Sequence, residues 1–137
     1  MPYIVVNVAS GHPAQTKREM LANLSREVCQ VLEVGLDDTL AYAAEFEPDD
    51  VCAGGEIPSA KGSALVTIVM SRGRPPAVLL KLIEVATDVV ERALRLPRRA
   101  IHCVLEENEA SNVAVAGAPL SFPRMPRWLF DREASRD

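Results

Sequence analysis

Histidine is scarce in this chain: there are two, His12 and His102, ninety positions apart. The three cysteines, Cys29, Cys52 and Cys103, form no Cys-x-x-Cys pair. Together they offer no metal-ligand cluster, so no metal is expected. An odd number of cysteines, each among apolar neighbours, excludes a disulfide framework and reads as small buried hydrophobes in a reduced, cytoplasmic setting. Long apolar runs are missing too. None approaches the ~20 residues a membrane span needs, and no basic stretch followed by an apolar one opens the sequence, so neither membrane nor secretory signal is expected. Positive charge is also short: the net charge is −4 with no basic stripe, which argues against a nucleic-acid partner. What remains is 137 residues, 48% hydrophobic and 25% charged. That composition is ordinary for a globular protein and suffices for one domain with a sizeable core.

The sequence is written twice. Tyr3 to Val8 is a β-branched run, broken by Gly11-His12-Pro13, with Pro13 suited to a first helical turn. From about Ala14 to Glu33, Leu21, Leu24, Val28, Val31 and Leu32 recur near the helical period. Gly35 is a candidate cap, and Leu40 to Phe46 a second strand. Leu65 to Met70 then reads as a buried strand, Gly73-Arg74-Pro75 as a break, and about Pro76 to Arg95 as a helix carrying Leu79, Leu82, Ile83, Ala86, Val90 and Leu94. Pro97 stops it, and Ile101 to Leu105 closes the pattern.

A shift of 62 positions superposes the halves without a gap. Gly11-His12-Pro13 falls on Gly73-Arg74-Pro75, Glu45 on Glu107, and Val51-Cys52-Ala53-Gly54-Gly55 on Val113-Ala114-Val115-Ala116-Gly117. Repeat one spans about 2–56, a linker 57–63, repeat two about 64–118, and a tail 119–137, all in a single domain. Two β-α-β units, each with a crossover helix of about twenty residues, imply parallel strand pairs. The expected fold is α+β (α/β two-layer): a four-stranded sheet with two helices on one face. The strands are apolar on both faces, so the uncovered face must be buried, most simply by self-association. Under the shift Pro2 falls on Ala64, so the proline occurs once.

Met1-Pro2 followed by a strand, Gly-x-Pro at the helix entrances, and Gly-Gly about fifty residues on resemble the tautomerase superfamily. The doubled length is similar to its longer members, of the malonate semialdehyde decarboxylase, cis-3-chloroacrylic acid dehalogenase and macrophage migration inhibitory factor types. The resemblance covers roughly residues 2 to 122. It implies a homotrimer, cofactor-independent chemistry on a small anionic oxo-acid, and a catalytic amino-terminal proline, Pro2, freed by loss of Met1. Elementary chemistry agrees. A terminal proline is a secondary amine with an ordinary pKa of ~8. An apolar pocket or a nearby arginine favours its neutral, basic form, and a nearby carboxylate its charged, acidic form.

The resemblance assigns further residues. Arg72 and Arg74, two apart, point the same way in extended backbone and can clamp a carboxylate; the decarboxylase group binds and polarises substrate with such a pair. The bland alternative is two solvated loop arginines. Asp38 aligns with that group's aspartate, with Asp37 as a substitute and an Asx turn as the plain reading. Glu107 aligns with the dehalogenase group's water-activating glutamate, although Glu45, Glu106 and Glu109 compete and a solvated strand end is the commoner role. His102 stands where 4-oxalocrotonate tautomerase has a mid-strand arginine and can still donate a hydrogen bond; a half-buried histidine with a local partner is the plainer reading. Tyr3, or Trp128 from the tail, is the candidate aromatic wall.

The departures narrow the choice. Ser10 and His12 stand in the first repeat where the second has its arginines, and the mid-strand arginine is gone, so a strict 4-oxalocrotonate-type enzyme fits badly. Pro2, Asp38, Arg72 and Arg74 complete the decarboxylase-like set. Three readings stay open: a tautomerase or 3-oxo acid decarboxylase, with hydration or dehalogenation of 3-haloacrylates as a related chemistry; a non-catalytic trimeric relative; and an isomerase with a larger apolar substrate. The tail, proline-rich yet apolar through Phe122, Trp128, Leu129 and Phe130, is expected to cross a neighbouring subunit or close a pocket.

Overall fold

The structure, a computed structural model, describes residues 2–37, 39–57 and 62–120. The first repeat contains strand β1 (Tyr3–Ala9), helix α1 (Ala14–Leu32), strand β2 (Leu40–Phe46) and a 3-10 turn at Pro48–Asp50. The second contains β3 (Ala64–Ser71), α2 (Pro76–Leu94), a 3-10 turn at Arg98–Ala100, β4 (Ile101–Asn108), another at Ala110–Asn112, and a short hairpin of β5 (Ala114–Val115) and β6 (Ala118–Pro119). The shift of 62 read from the sequence superposes the two helices end for end. β4 runs three residues beyond the expected Leu105, because it stays paired with β3 as far as Ser71↔Asn108.

Backbone chemistry explains the repeat. Gly11 and Gly73 adopt φ of 114° and 115°, values open to glycine and closed to side-chain-bearing residues. Each turns the chain out of its strand and into a proline, Pro13 or Pro75, whose fixed φ leads into the helix. Pro13 thus precedes the first helical residue rather than lying within the first turn.

The helix ends differ from expectation. Gly35 does not cap α1. Glu33 does, in the left-handed region at φ 57°, and Arg95 does the same for α2 at φ 54°. At the end of α1 the Glu33 N–H donates to the Gln30 carbonyl and the Val34 N–H to the Cys29 carbonyl, a Schellman closure. Val34 then packs against the core. The left-handed turn thus falls at Glu33, two residues before the glycine, and brings half-buried Val34 against the core. Glycine suits a left-handed cap better than glutamate or arginine, so Glu33→Gly and Arg95→Gly are each expected to stabilise the fold by about 1 kcal/mol. Thermal unfolding of the single variants checks this; a fall in Tm for both would contradict it.

The sheet order is β2-β1-β3-β4. β1 runs parallel to β2 and β3 parallel to β4, and the two repeats join through the antiparallel β1–β3 pair. Alternation divides the faces. Ile4, Val6, Val8, Val66, Ile68 and Met70 are buried against Met20, Leu24 and Val28 of α1 and Leu82, Ala86 and Val90 of α2. The opposite face carries Leu40, Tyr42, Leu65 and Val104, which are 38–56% exposed, in a grid with Tyr3, Val5, Thr67 and Val69. No helix among the described residues is long and apolar enough to cross a membrane.

Candidate active site

Pro2 is buried immediately ahead of β1, and its carbonyl accepts a hydrogen bond from the Leu40 N–H at 3.4 Å. Extending the antiparallel register, in which Tyr3 faces Val69, sets Pro2 level with Met70. The parallel β3–β4 register then sets Met70 level with Glu107. One end of the sheet therefore gathers the start of β1, the start of β2 and the finish of β3 and β4. Arg72 and Arg74 leave β3 at this same end.

The two arginines do not form the extended pair that the sequence suggested. Gly73, at φ 115°, turns the chain between them. The Arg72 N–H donates to the Asn108 carbonyl at 2.9 Å, and its guanidinium Nε lies 3.3 Å from a Glu109 carboxylate oxygen, both side chains being well exposed. Arg74 is half-buried and donates to the Ser71 carbonyl at 3.0 Å.

Tyr3 lies on the open face of the sheet. Its hydroxyl donates to the Ala114 carbonyl at 3.4 Å, which ties the β5–β6 hairpin to the Pro2 end. Thr39 follows Asp38, and its hydroxyl is 2.9 Å from the Cys29 sulfur. Met1, Asp38 and Trp128 lie outside the described residues, and Asp37 is exposed. His102 sits elsewhere. It pairs with Leu65, which pairs with Asn7, five strand positions from the level of Pro2, or roughly 17 Å. It is exposed on the open face, so one chain does not bring His102 and Pro2 together.

The repeat shows a contrast that reading the glutamates singly misses. Glu45 on β2 forms an ion pair with Lys17 of α1. Glu107 is its counterpart on β4, but the counterpart of Lys17 is Leu79. Glu107 is half-buried and has no cationic partner among the described residues. The signal was legible as lysine against leucine under the shift of 62. In the same way Ser10 donates to Glu47 at 3.4 Å where the second repeat pairs Arg72 with Glu109. Glu109, which the sequence offers only as one glutamate among several, is the side chain that holds Arg72. No group of three or more potential metal ligands occurs among the described residues.

Residues 65–122 match the family described as Tautomerase enzyme. No curated protein matches the chain. Among solved structures, a wild-type fused 4-OT symmetric trimer is similar at 26% identity and a TM-score of 0.79, over 85% of this chain and 93% of that one. Pt0534 inactivated by 2-oxo-3-pentynoate is similar at 17% identity and a TM-score of 0.81, over 89% of this chain and 99% of that one. N1, a member of the cis-3-chloroacrylic acid dehalogenase family, is similar at 15% identity and a TM-score of 0.81, over 96% and 98%.

Proposed function

We infer that this chain, a tautomerase-superfamily protein by its matched second half and by its fold, uses Pro2 as an amino-terminal amine to move a proton on a small anionic oxo-acid. The observation that carries the reading is the burial of Pro2 at the end of the sheet from which Arg72 and Arg74 emerge. Loss of Met1 converts the proline nitrogen from an amide to a secondary amine. Burial opposes its protonation, and a guanidinium turned toward it would do the same, which leaves a base at neutral pH.

In tautomerisation the base takes the enol O–H proton, the carbonyl reforms, and the proton returns to carbon. Arg72 and Arg74 would hold the carboxylate and draw electron density to the carbonyl oxygen. Asp38, two positions before β2 in the sequence, would set the protonation state of the amine. A cationic Pro2 would instead favour decarboxylation of a 3-oxo acid: the bond to the carboxylate carbon breaks, CO2 leaves, and the enolate left behind takes a proton. The uncovered sheet face and the trimeric relative support a homotrimer as the working form.

One observation favours hydration or dehalogenation of a 3-haloacrylate: Glu107, level with Pro2 and without a cationic partner among the described residues, is placed to activate water. Another favours a non-catalytic relative: Arg72 and Arg74 are both already bonded within the chain.

The test is the intact mass before and after treatment with 2-oxo-3-pentynoate. The expected result is a chain lacking Met1 that gains the whole mass of one reagent at Pro2. The amine nitrogen adds to the conjugated triple bond, and its proton passes to the neighbouring carbon. The same preparation should turn over phenylenolpyruvate or 3-oxopropanoate. A chain that retains Met1 overturns the reading.

A further inference from the structure

β2 and β4 form the two edges of the four-stranded sheet. β2 starts at the Pro2 end, where Leu40 pairs with Tyr3, and β4 starts at the opposite end, where Ile101 pairs with Ala64. The segments that feed these strands, residues 33–38 and 95–100, therefore stand at diagonally opposite corners of the sheet.

Duplication alone would leave the two corners alike, but they have diverged in charge. Residues 33–38 carry three acids, Glu33, Asp37 and Asp38, and no base. Residues 95–100 carry three arginines, Arg95, Arg98 and Arg99, and no acid. Under the shift of 62, Glu33 falls on Arg95 and Asp37 on Arg99. Arg98 is occupied within the chain by Asp88 at 2.7 Å and Glu91 at 2.6 Å. Glu33, Asp37, Arg95 and Arg99 are exposed, and their side chains have no partner among the described residues.

The width of the sheet keeps the two corners of one chain apart, so they can meet only on neighbouring copies. A closed ring of identical chains with one contact per joint brings two different patches together at every joint. Strands in a closed assembly lean by roughly 35–45° from its axis, which carries one diagonal of each sheet around the ring. We propose that the acidic corner of each copy sits against the basic corner of the next, with Glu33 and Asp37 facing Arg95 and Arg99. This rests on the homotrimer reading and adds to it which corners meet and in which direction. The apolar sheet face supplies adhesion, and the charges supply orientation. One exposed ion pair contributes little, but the ring repeats the set at every joint, and reversal sets like charges together.

Charge reversal on the full chain is the test. Glu33→Arg/Asp37→Arg makes both corners basic, and Arg95→Glu/Arg99→Glu makes both acidic. Each double variant is expected to need about tenfold or more higher protein concentration than the native chain to assemble, by sedimentation. The fourfold variant exchanges the corners and should assemble at the native concentration. Glu33 and Arg95 already hold the same left-handed cap, at φ 57° and 54°, so each fits the other's place; circular dichroism checks the helix content. Any ring that mixes native and fourfold chains contains an acid-on-acid and a base-on-base joint. Co-expressed with untagged native chain, a fourfold variant tagged at its carboxyl terminus should therefore capture about tenfold less of it than a tagged native chain does. Salt gives a check that needs no exchange of residues. At ~1 M NaCl, where charges are screened within about 3 Å, native assembly should weaken and assembly of both double variants should strengthen.

Double variants that assemble like the native chain, a folded fourfold variant that stays dissociated, free mixing of native and fourfold chains, or native assembly indifferent to salt would each overturn the proposal. A native chain that sediments as a single copy would remove the homotrimer reading and this one with it. A native trimer that the reversals leave intact would remove the charged joint alone.

Discussion

Replacing Pro2 with alanine is expected to lower kcat/KM for the better of phenylenolpyruvate and 3-oxopropanoate by about 10²–10⁴-fold, the usual worth of a positioned acid or base. The variant keeps a terminal amine after methionine removal, so charge at the terminus is conserved. What is lost is a ring that fixes the direction of the nitrogen lone pair and shields it from water. Pro2 precedes the first strand residue and, among the described residues, makes one backbone hydrogen bond, as an acceptor, so Tm should change little and the loss can be read as chemistry. The pH profile gives the sign. If Pro2 is the base, kcat/KM rises with pH as the amine loses its proton; if it is the acid, as in decarboxylation, kcat/KM falls over the same range. Equal activity in the native protein and Pro2→Ala would remove Pro2 from the mechanism.

The second large effect concerns assembly. Val5 lies at the centre of the open sheet face, between Tyr42 of β2 and Thr67 of β3. A stable interface on that face buries about 800 Å² per partner, and an unpaired lysine ammonium at its middle costs several kcal/mol. Val5→Lys is therefore expected to convert an assembly of three times the chain mass into a species of 14.9 kDa by sedimentation. Helix content should persist, because odd-numbered positions of β1 face away from the helices and Ile4 and Val6 still fill the core. An unchanged sedimentation coefficient would mean that copies associate through another surface.

Much of the fold was legible because duplication lets each half check the other. Gly11 and Gly73 mark one turn twice, and the periodic residues of α1 and α2 coincide under one shift. The helix stop was not legible: Gly35 looked like a cap, but the left-handed turn falls at Glu33, where half-buried Val34 meets the core, and that packing is a tertiary property. The arginine pair was half legible. Its place at the Pro2 end follows from the antiparallel register, which the β-α-β pattern leaves open. The direction of the side chains depends on Gly73, whose left-handed backbone defeats an argument based on extended chain. His102 looked like a site residue by position in its strand; within one chain the register sets it at the opposite end of the sheet from Pro2. Glu107 gained interest only when its twin Glu45 was seen neutralised by Lys17.

The antiparallel join between β1 and β3 has one more consequence. Because the repeats meet head to tail, each end of the sheet is made from the start of one repeat's first strand and the finish of the other's. Neither repeat alone can build either end. Severed between residues 57 and 63, the chain would become two fragments that regain both ends only by finding each other, so the chain is inherently suited to fragment complementation, with reassembly itself as the signal.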